Sequence, residues 1–91
     1  MWDDLQKLNT VLSQAGLYHD FMELLFTHEE QATIKKRLLI IKELLSEEKT
    51  QRQIAKDLNV SISQITRGSN ELKNISPNLK QLLLEQIKKI S

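Results

Sequence analysis

The stretch that decides the fold runs from Thr50 to Asn74 and reads TQRQIAKDLNVSISQITRGSNELKN. Thr50 and Ser61 are each followed three positions later by a glutamine, a spacing that is typical of a capping box at the start of a helix. Asn59 lies between the two boxes and tolerates the left-handed backbone that a tight turn requires. The pattern predicts a helix to about Leu58, a turn, and a second helix to about Asn74.

Small and apolar residues occupy the positions where these two helices must pack together. Their spacing predicts a small shared core formed by Ile54, Leu58, Val60 and Ile65. Ala55 lies where the helices approach most closely, because a larger side chain there would push them apart. The two caps, the small residue Ala55 and the turn residue Asn59 agree in register, and this agreement favours a DNA-reading helix-turn-helix. A plain pair of packed helices is the alternative.

A helix-turn-helix that reads DNA places its second helix in the major groove, with the N-terminal residues on base edges. In this chain those residues are Ile62, Ser63, Gln64 and Thr66. Arg52, early in the first helix, is expected to reach the same groove, where arginine pairs with guanine. Contacts to phosphate position a protein on DNA without reading its sequence. They are expected from Gln51, Lys56 and Lys73.

Charge is distributed unevenly along the chain. Residues 1–48 carry five Lys and Arg against nine Asp and Glu, whereas residues 49–80 carry six against two. The basic part coincides with the helix-turn-helix candidate, as expected of a protein that binds nucleic acid. Ordinary solvated helix surface gives the same balance, so the charge distribution leaves both readings open.

Length and composition predict one cytoplasmic domain. Ninety-one residues build only a small core, yet 25 of them are Leu or Ile. Four consecutive apolar residues, Leu38 to Ile41, cannot share one helix face, so cover by a second subunit is expected. The chain has no cysteine, hence no disulfide framework and no thiolate metal site. No apolar run approaches the ~20 residues of a membrane span, and no segment resembles a signal peptide.

Helix signals continue upstream of this stretch. An apolar stripe predicts a first helix over residues 3–15, which Gly16 ends. A short second helix is predicted over residues 18–25. Thr27 opens a further capping box, and a long third helix is predicted from there to about Ser46.

Downstream, Ser76 and Pro77 open a sixth helix, because serine is a good N-cap and proline is favoured at the first helical position. This helix is predicted to run to the end of the chain. Its apolar residues are Leu79, Leu82, Leu83, Ile87 and Ile90. No alternating apolar run indicates a strand. The sequence therefore predicts an all-α fold of six helices in a single domain over residues 1–91.

The run Ile65-Thr66-Arg67-Gly68-Ser69-Asn70, with Gln51-Arg52 before it and Arg37 upstream, resembles the bacterial tryptophan (Trp) repressor family. The similarity extends over nearly the whole chain without gaps. It includes Trp2, Leu24-Leu25-Phe26-Thr27, Glu43-Leu44-Leu45, Lys73 and Pro77.

The resemblance implies a Trp-repressor-like fold in an intertwined homodimer. Residues 1–46 and 76–91 would form the dimerisation core, and residues 50–74 the DNA-reading head. It further implies L-tryptophan as a corepressor bound between core and head, operator DNA as a partner, and no metal.

The resemblance also assigns the tryptophan site residue by residue. Arg37 and Arg67 match the arginines on either side of the indole ring, and stacking of a guanidinium on an aromatic face is favourable. Arg67 and Thr27 match the groups that hold the carboxylate. The carbonyls near Leu24 and Phe26 of the partner subunit match the acceptors for the ligand's ammonium group. Gly68 matches a position where the ligand lies too close for a side chain. Ile41 matches a residue of the apolar wall.

The chain departs from the family pattern at two positions. Glu71 stands where the family commonly has serine near the ammonium group. It would either pair with that ammonium or form an i, i+4 pair with Arg67 and compete with the ligand. Ala55 stands where some members have lysine, so either Lys56 replaces that contact with DNA or the contact is absent.

Without the resemblance, the favoured reading of Arg37 and Arg67 is that of surface ion pairs, with Glu30, Glu43 or Glu71 as partners. Taken together, the sequence predicts a tryptophan-dependent transcriptional repressor that binds palindromic operator DNA as a homodimer and lowers expression of genes for tryptophan biosynthesis or uptake. A DNA-binding regulator with a different corepressor or none is the first alternative. A helical protein–protein adaptor is the second, and no set of catalytic residues indicates an enzyme.

Overall fold

The computed structural model describes residues 1–89. Within them lie six α-helices, followed by one 3-10 turn at Ile87–Lys89. The helices are α1 (Trp2–Gln14), α2 (Tyr18–Leu25), α3 (His28–Ser46), α4 (Gln51–Leu58), α5 (Ile62–Leu72) and α6 (Pro77–Gln86). Residues 1–89 contain no strand, so the predicted all-α, six-helix fold is confirmed. Ile90, which the sequence places on the apolar face of the sixth helix, lies outside the described residues.

The chain divides into two compact units, the first comprising residues 1–33 and the second beginning at Ile34. In the first unit, α1 ends as the sequence predicts. Gly16 has a φ of +74°, and its N–H donates to the carbonyl of Ser13 at 3.1 Å. The N–H of Leu17 donates to the carbonyl of Leu12 at 2.8 Å. These two bonds form a Schellman motif, which needs a left-handed residue at the position of Gly16.

The capping box at Thr27 is complete and begins α3. The backbone N–H of Glu30 donates to the Thr27 hydroxyl oxygen at 3.1 Å, and the N–H of Thr27 donates to Glu30 Oε1 at 3.0 Å. No residue of α1 or α2 is buried. Large apolar side chains on these two helices are instead exposed, with Trp2 at 74% and Leu24 at 83% of their full accessible area.

The second unit has its own core. Ile40 of α3, Ile54 of α4 and Ile65 of α5 are buried together. The partly buried residues packed against them are Leu44, Ala55, Leu58 and Val60. The predicted shared core of α4 and α5, including the small residue Ala55, is thereby confirmed, and α3 completes it.

The turn between α4 and α5 also agrees with the sequence. Asn59 is left-handed, with φ 54° and ψ 50°, and the N–H of Val60 donates back to the carbonyl of Ala55 at 3.0 Å. The capping box at Ser61 is complete, since its hydroxyl accepts from the N–H of Gln64 and the Gln64 side chain accepts from the N–H of Ser61. These local bonds fix where α5 begins.

Three details of the sequence-based prediction are wrong. The box at Thr50 is half formed, because Thr50 caps the N–H of Gln53 at 3.2 Å while the Gln53 amide donates to Asp57 at 2.7 Å. Helix α5 ends at Leu72 rather than Asn74, and the last turn tightens into bonds between residues three apart. Helix α6 is capped by Ser76 as predicted but ends at Gln86, where a 3-10 turn follows.

Candidate functional site

The outer surface of α4 and α5 carries most of the residues predicted to contact DNA. The Thr66 hydroxyl donates to the side-chain carbonyl of Gln51 at 3.1 Å and lies 3.1 Å from the carbonyl of Ile62. The first of these contacts joins α5 to the first turn of α4, which brings Gln51 and Thr66 together on one surface. Arg52 is exposed in the same turn of α4. The predicted grouping of these residues at the start of both helices is therefore geometrically possible.

The first turn of α5 presents polar groups whose orientation its own cap fixes. Gln64 Oε1 accepts from the N–H of Ser61 at 3.3 Å, so its amide nitrogen keeps its two donor hydrogens. The hydroxyls of Ser61 and Ser63 lie 3.0 Å apart. Ile62 is 47% exposed although it is apolar. The edges of base pairs in the major groove present hydrogen-bond acceptors, donors and the thymine methyl group. The hydroxyl groups, the amide and the apolar side chain at this helix start have the complementary chemistry.

Lys56 and Lys73 lie in different surroundings. Lys56 is exposed on α4. Lys73 is the C-cap residue of α5, at the opposite end of that helix from the polar first turn. It lines a cavity of about 360 Å³ together with Lys80 and Glu47. Lys73 is thus not grouped with the other predicted DNA contacts.

Gly68 lies at the contact between α5 and α3. A methyl group added at Gly68 would lie 3.3 Å from Ile40 Cγ2, which is closer than ordinary van der Waals contact, and 3.4 Å from Leu44 Cδ1, at the lower limit of such contact. The missing side chain therefore lets α5 approach α3. This packing role was not predicted from the sequence, which placed a ligand, not a helix, against Gly68.

Several predicted ligand residues border this contact. On α3, Arg37 lies three residues before Ile40 and four before Ile41, so it is a neighbour of both on the helix surface. On α5, Arg67 precedes Gly68, and Glu71 follows it by three residues. The structure thus places both predicted arginines on the two helices that meet at Gly68.

Neither arginine forms an ion pair within residues 1–89, and both are exposed. Two of the three expected carboxylate partners bond elsewhere. Glu30 closes the cap at Thr27, and Glu43 pairs with Lys49 at 3.4 Å. Glu71 lies one turn from Arg67 but does not pair with it. The alternative that Arg37 and Arg67 are surface ion-pair residues therefore does not hold in this structure, and both guanidinium groups have their donors available.

The three remaining predicted ligand residues belong to the first unit. The Thr27 hydroxyl oxygen accepts in the cap of α3, which leaves its hydrogen available to donate. The Phe26 carbonyl accepts from the Gln31 side-chain amide at 3.0 Å and retains a second lone pair. Leu24 lies in the last turn of α2, where carbonyls have no partner further along the helix. The Thr27 hydroxyl can therefore still donate, and the carbonyls of Phe26 and Leu24 can still accept, as the predicted ligand site requires.

Sequence reasoning missed Lys49. Its ammonium group lies 2.9 Å from Asp57 Oδ2 of α4 and 3.4 Å from Glu43 Oε2 of α3. The hydrogen bond to Asp57 is the main cause that raises the pKa of Lys49, and the same bond holds the pKa of Asp57 below its usual range. Neither partner is within one helical turn of Lys49, so no local spacing in the sequence indicates this bridge.

Two classes of site find no support among residues 1–89. No group of three or more His, Cys, Asp or Glu side chains is placed to hold a metal ion. No helix of this part of the chain has the length and apolar character that a membrane crossing demands.

The fold and this surface define an all-α protein in which two short helices, packed on a longer one, expose polar and basic side chains. Comparison with known families makes the assignment specific: the model of the Trp repressor protein family matches residues 1–87. The chain belongs to the Trp repressor family.

Similar proteins carry related names. The chain is 44% identical over 82 residues to a Trp operon repressor homolog of Chlamydia caviae, an alignment that covers 90% of this chain and 81% of that protein. It is 37% identical over 86 residues to a homolog of Chlamydia trachomatis serovar D, covering 94% of this chain and 92% of the relative. It is 37% identical over 93 residues to a homolog of Vibrio parahaemolyticus, and this alignment covers 99% of this chain and 90% of the relative. The chain is therefore a Trp-repressor-like transcriptional regulator, and its family is not an enzyme family.

Proposed function

We propose that this protein is a tryptophan-dependent repressor. It binds palindromic operator DNA as a homodimer and lowers expression of genes for tryptophan biosynthesis or uptake, in the cytoplasm. The observation that carries the proposal is that one helix, α5, combines an exposed polar first turn with an unpaired Arg67 beside Gly68. A helix of this kind can contact DNA with one end and a small ligand near its middle.

The DNA-binding part of the proposal is supported by the surface of α4 and α5. Arg52 and the first turn of α5 supply donors for base edges. Gln51 and Thr66 are held by their mutual hydrogen bond, and Lys56 and Lys73 supply positive charge for phosphates. Dimeric helix-turn-helix proteins, Trp repressor among them, set two such surfaces about 34–36 Å apart, one turn of DNA.

The ligand part is supported by the two unpaired arginines. A guanidinium group stacks favourably on an indole ring and also binds a carboxylate through two hydrogen bonds. Tryptophan offers both groups. Glu71 forms no ion pair with Arg67, so of the two roles considered for it, pairing with the ligand's ammonium is the one that we propose. The carboxylate of Glu71 then adds one attraction that a serine does not supply.

The homodimer is supported by the apolar surface that one chain leaves uncovered. The exposed large apolar residues of the two N-terminal helices include Trp2, Leu8, Val11 and Leu24. Exposed apolar patches of this kind are unusual on a soluble monomer and mark an interaction surface. We propose that a second copy covers them, as the intertwined dimer of the family implies.

The proposed mechanism is a shift between two positions of the α4–α5 pair. Tryptophan between Arg37 and Arg67 favours the position that fits operator DNA. Because coupling between two ligands is reciprocal, the operator must tighten tryptophan binding by the same factor.

Two arginine variants test this proposal. Arg67→Ala is expected to abolish the tryptophan-dependent gain in operator binding, measured by fluorescence anisotropy of a palindromic duplex with and without tryptophan. Arg52→Ala is expected to weaken operator binding by roughly 1–3 kcal/mol while calorimetry still detects tryptophan binding. Lys35→Ala removes the same charge from an exposed position of α3 and serves as the control for both. Tryptophan-dependent binding by Arg67→Ala at the wild-type level would show that the site assignment is wrong.

The same measurements separate the alternatives. Operator binding without any heat from tryptophan would indicate a regulator with a different corepressor or none. Failure to bind a palindromic duplex even at low salt, where phosphate contacts are strongest, would indicate a protein–protein adaptor.

A further inference from the structure

The segment between α3 and α4 makes a sharp turn without glycine. It comprises residues 47–50, and its first residue, Glu47, has a φ of +56°, a left-handed conformation that is uncommon outside glycine. Its last residue, Thr50, is extended and caps α4. A short turn of this kind determines where α4 starts but leaves rotation of α4 against α3 to be fixed by other contacts.

The apolar contacts between these helices do not fix that rotation by themselves. Ile54 and Ile65 pack with Ile40 of α3, and Gly68 of α5 rests near Ile40 and Leu44. Attraction between apolar groups is non-directional, so such a contact tolerates small rotations. Contacts between polar groups depend much more strongly on distance and angle.

Lys49 supplies directional contacts at this position. Its ammonium group bridges Asp57 Oδ2 at 2.9 Å and Glu43 Oε2 at 3.4 Å. The second carboxylate oxygen of Asp57 accepts from the Gln53 amide at 2.7 Å, which holds the carboxylate in place from within α4. The bridge therefore joins the last turns of α3, the connecting segment and α4 through one cation.

We propose that Lys49 is a positioning residue that restricts the range of orientations that the α4–α5 pair adopts on α3. The proposal rests on the proposed function, because the orientation of this pair on α3 is what an operator would detect. Lys49 itself need not touch DNA. Without the bridge, the pair should sample more orientations, and operator DNA should bind more weakly since a smaller fraction of molecules has the fitting orientation.

Two variants with opposite changes in charge test the proposal. Lys49→Met removes a positive charge and Asp57→Asn removes a negative one, yet both break the bridge. In the full chain without DNA or tryptophan, amides of α4 are expected to exchange hydrogen about two- to four-fold faster in either variant. Lys49→Arg should retain most of the protection. Lys35→Met and Asp4→Asn, at exposed positions, carry the same charge changes and should leave α4 exchange unchanged.

Operator affinity at saturating tryptophan supplies the second measurement. It should fall in both Lys49→Met and Asp57→Asn, by a similar small factor. Weaker binding by Lys49→Met with tighter binding by Asp57→Asn would mean that only net charge matters, and it would overturn the proposal. Unchanged exchange of α4 in both variants would overturn it as well.

The exchange measurement also keeps the two proposals distinguishable. Faster α4 exchange in both variants, combined with a wild-type chain that binds no operator, would retain the bridge as the element that orients α4 and would reject the function proposed above. Circular dichroism of each variant checks that its helices are intact.

Discussion

The chain contains two helical pairs of similar size that differ in how they bury apolar surface. The pair α4 and α5 packs around Ile54 and Ile65, which are 1% and 0% exposed. The pair α1 and α2 buries no residue and exposes Trp2, Leu8 and Leu24. The difference shows that α4–α5 buries apolar surface within one chain, whereas α1–α2 leaves its large apolar side chains exposed.

This difference in burial agrees with the two proposed roles, DNA binding by α4–α5 and assembly of the dimer by α1–α2. A surface that reads DNA must be rigid in each subunit before it meets its partner, because disorder there would reduce affinity. A surface that assembles a dimer must expose apolar area in the single chain.

The largest effect is expected from Ile65→Ala. Truncation of a fully buried isoleucine removes apolar contacts and leaves a cavity, at a cost of about 2–5 kcal/mol in the free energy of unfolding. Urea denaturation followed by circular dichroism measures it. Ile62→Ala, at an exposed position of the same helix, should cost less than about 0.5 kcal/mol. Equal losses for the two variants would contradict a separate core within α4–α5.

Leu8→Lys tests the exposed surface of the other pair. Burial of a leucine contributes about 1.5–3 kcal/mol, so the dimer dissociation constant should rise at least about tenfold, as sedimentation equilibrium measures. Trp2 is the only tryptophan, and its emission without ligand should shift to longer wavelength when the dimer dissociates on dilution. Thr10→Lys places the same charge on the opposite face of α1. If Leu8→Lys remains as dimeric as that control, α1 is not part of the interface.

Gly68→Ala tests where the α4–α5 pair meets α3. Alanine favours a helix by about 1 kcal/mol over glycine, while its methyl group would crowd Ile40 and Leu44. These effects oppose each other, so stability should change by less than about 1 kcal/mol.

Tryptophan binding decides between the two roles of Gly68. If the ligand lies against this residue, calorimetry should show a clear loss of affinity in Gly68→Ala, and Asn70→Ala on the opposite face of α5 should retain it. Wild-type affinity in Gly68→Ala would leave helix packing as the residue's only role.

The smallest effect concerns pH and the Lys49 bridge. The pKa of Asp57 is lowered, so its contribution is present above the ordinary aspartate pKa and is lost as pH falls through the lowered value. The pKa of Lys49 is raised, so its contribution is present below the ordinary lysine pKa and is lost as pH rises through the raised value. The difference in urea midpoint between wild type and Lys49→Met should be constant from about pH 5 to about pH 9.

Outside that window, in strong acid and in strong base, the difference in urea midpoint should disappear. A difference that already changes near neutral pH would point to a histidine and not to this bridge.

Helix starts were predictable from the sequence because they depend on neighbours three or four residues away. Thr27, Ser61 and Ser76 cap helices where their spacing indicates, and Gly16 and Asn59 adopt the left-handed backbone expected of them. Such bonds form within one turn and need no tertiary structure.

Features that depend on competition or on tertiary structure were not predictable. The Gln53 side chain had two partners within reach, the Thr50 N–H, from which its oxygen could accept, and the carboxylate of Asp57, to which its nitrogen could donate. Its nitrogen bonds to the carboxylate, and the cap at Thr50 stays half formed. The bridge of Lys49 requires the fold of residues 47–50. The packing of Gly68 on Ile40 likewise requires α3 and α5 to be in place. Of the candidate site, the sequence indicates which residues have suitable chemistry, and the fold decides which of them meet.

The closeness in sequence of Ile54 and Ile65 has a consequence for the order of folding. The two residues are eleven positions apart, and segments of that length close in roughly 10–100 ns. Refolding of α4–α5 should therefore be fast and independent of protein concentration. In the proposed homodimer, burial of the α1 surface against a second chain is a bimolecular step, and its rate should rise with concentration. A newly made chain would thus have an ordered α4–α5 surface before it finds its partner.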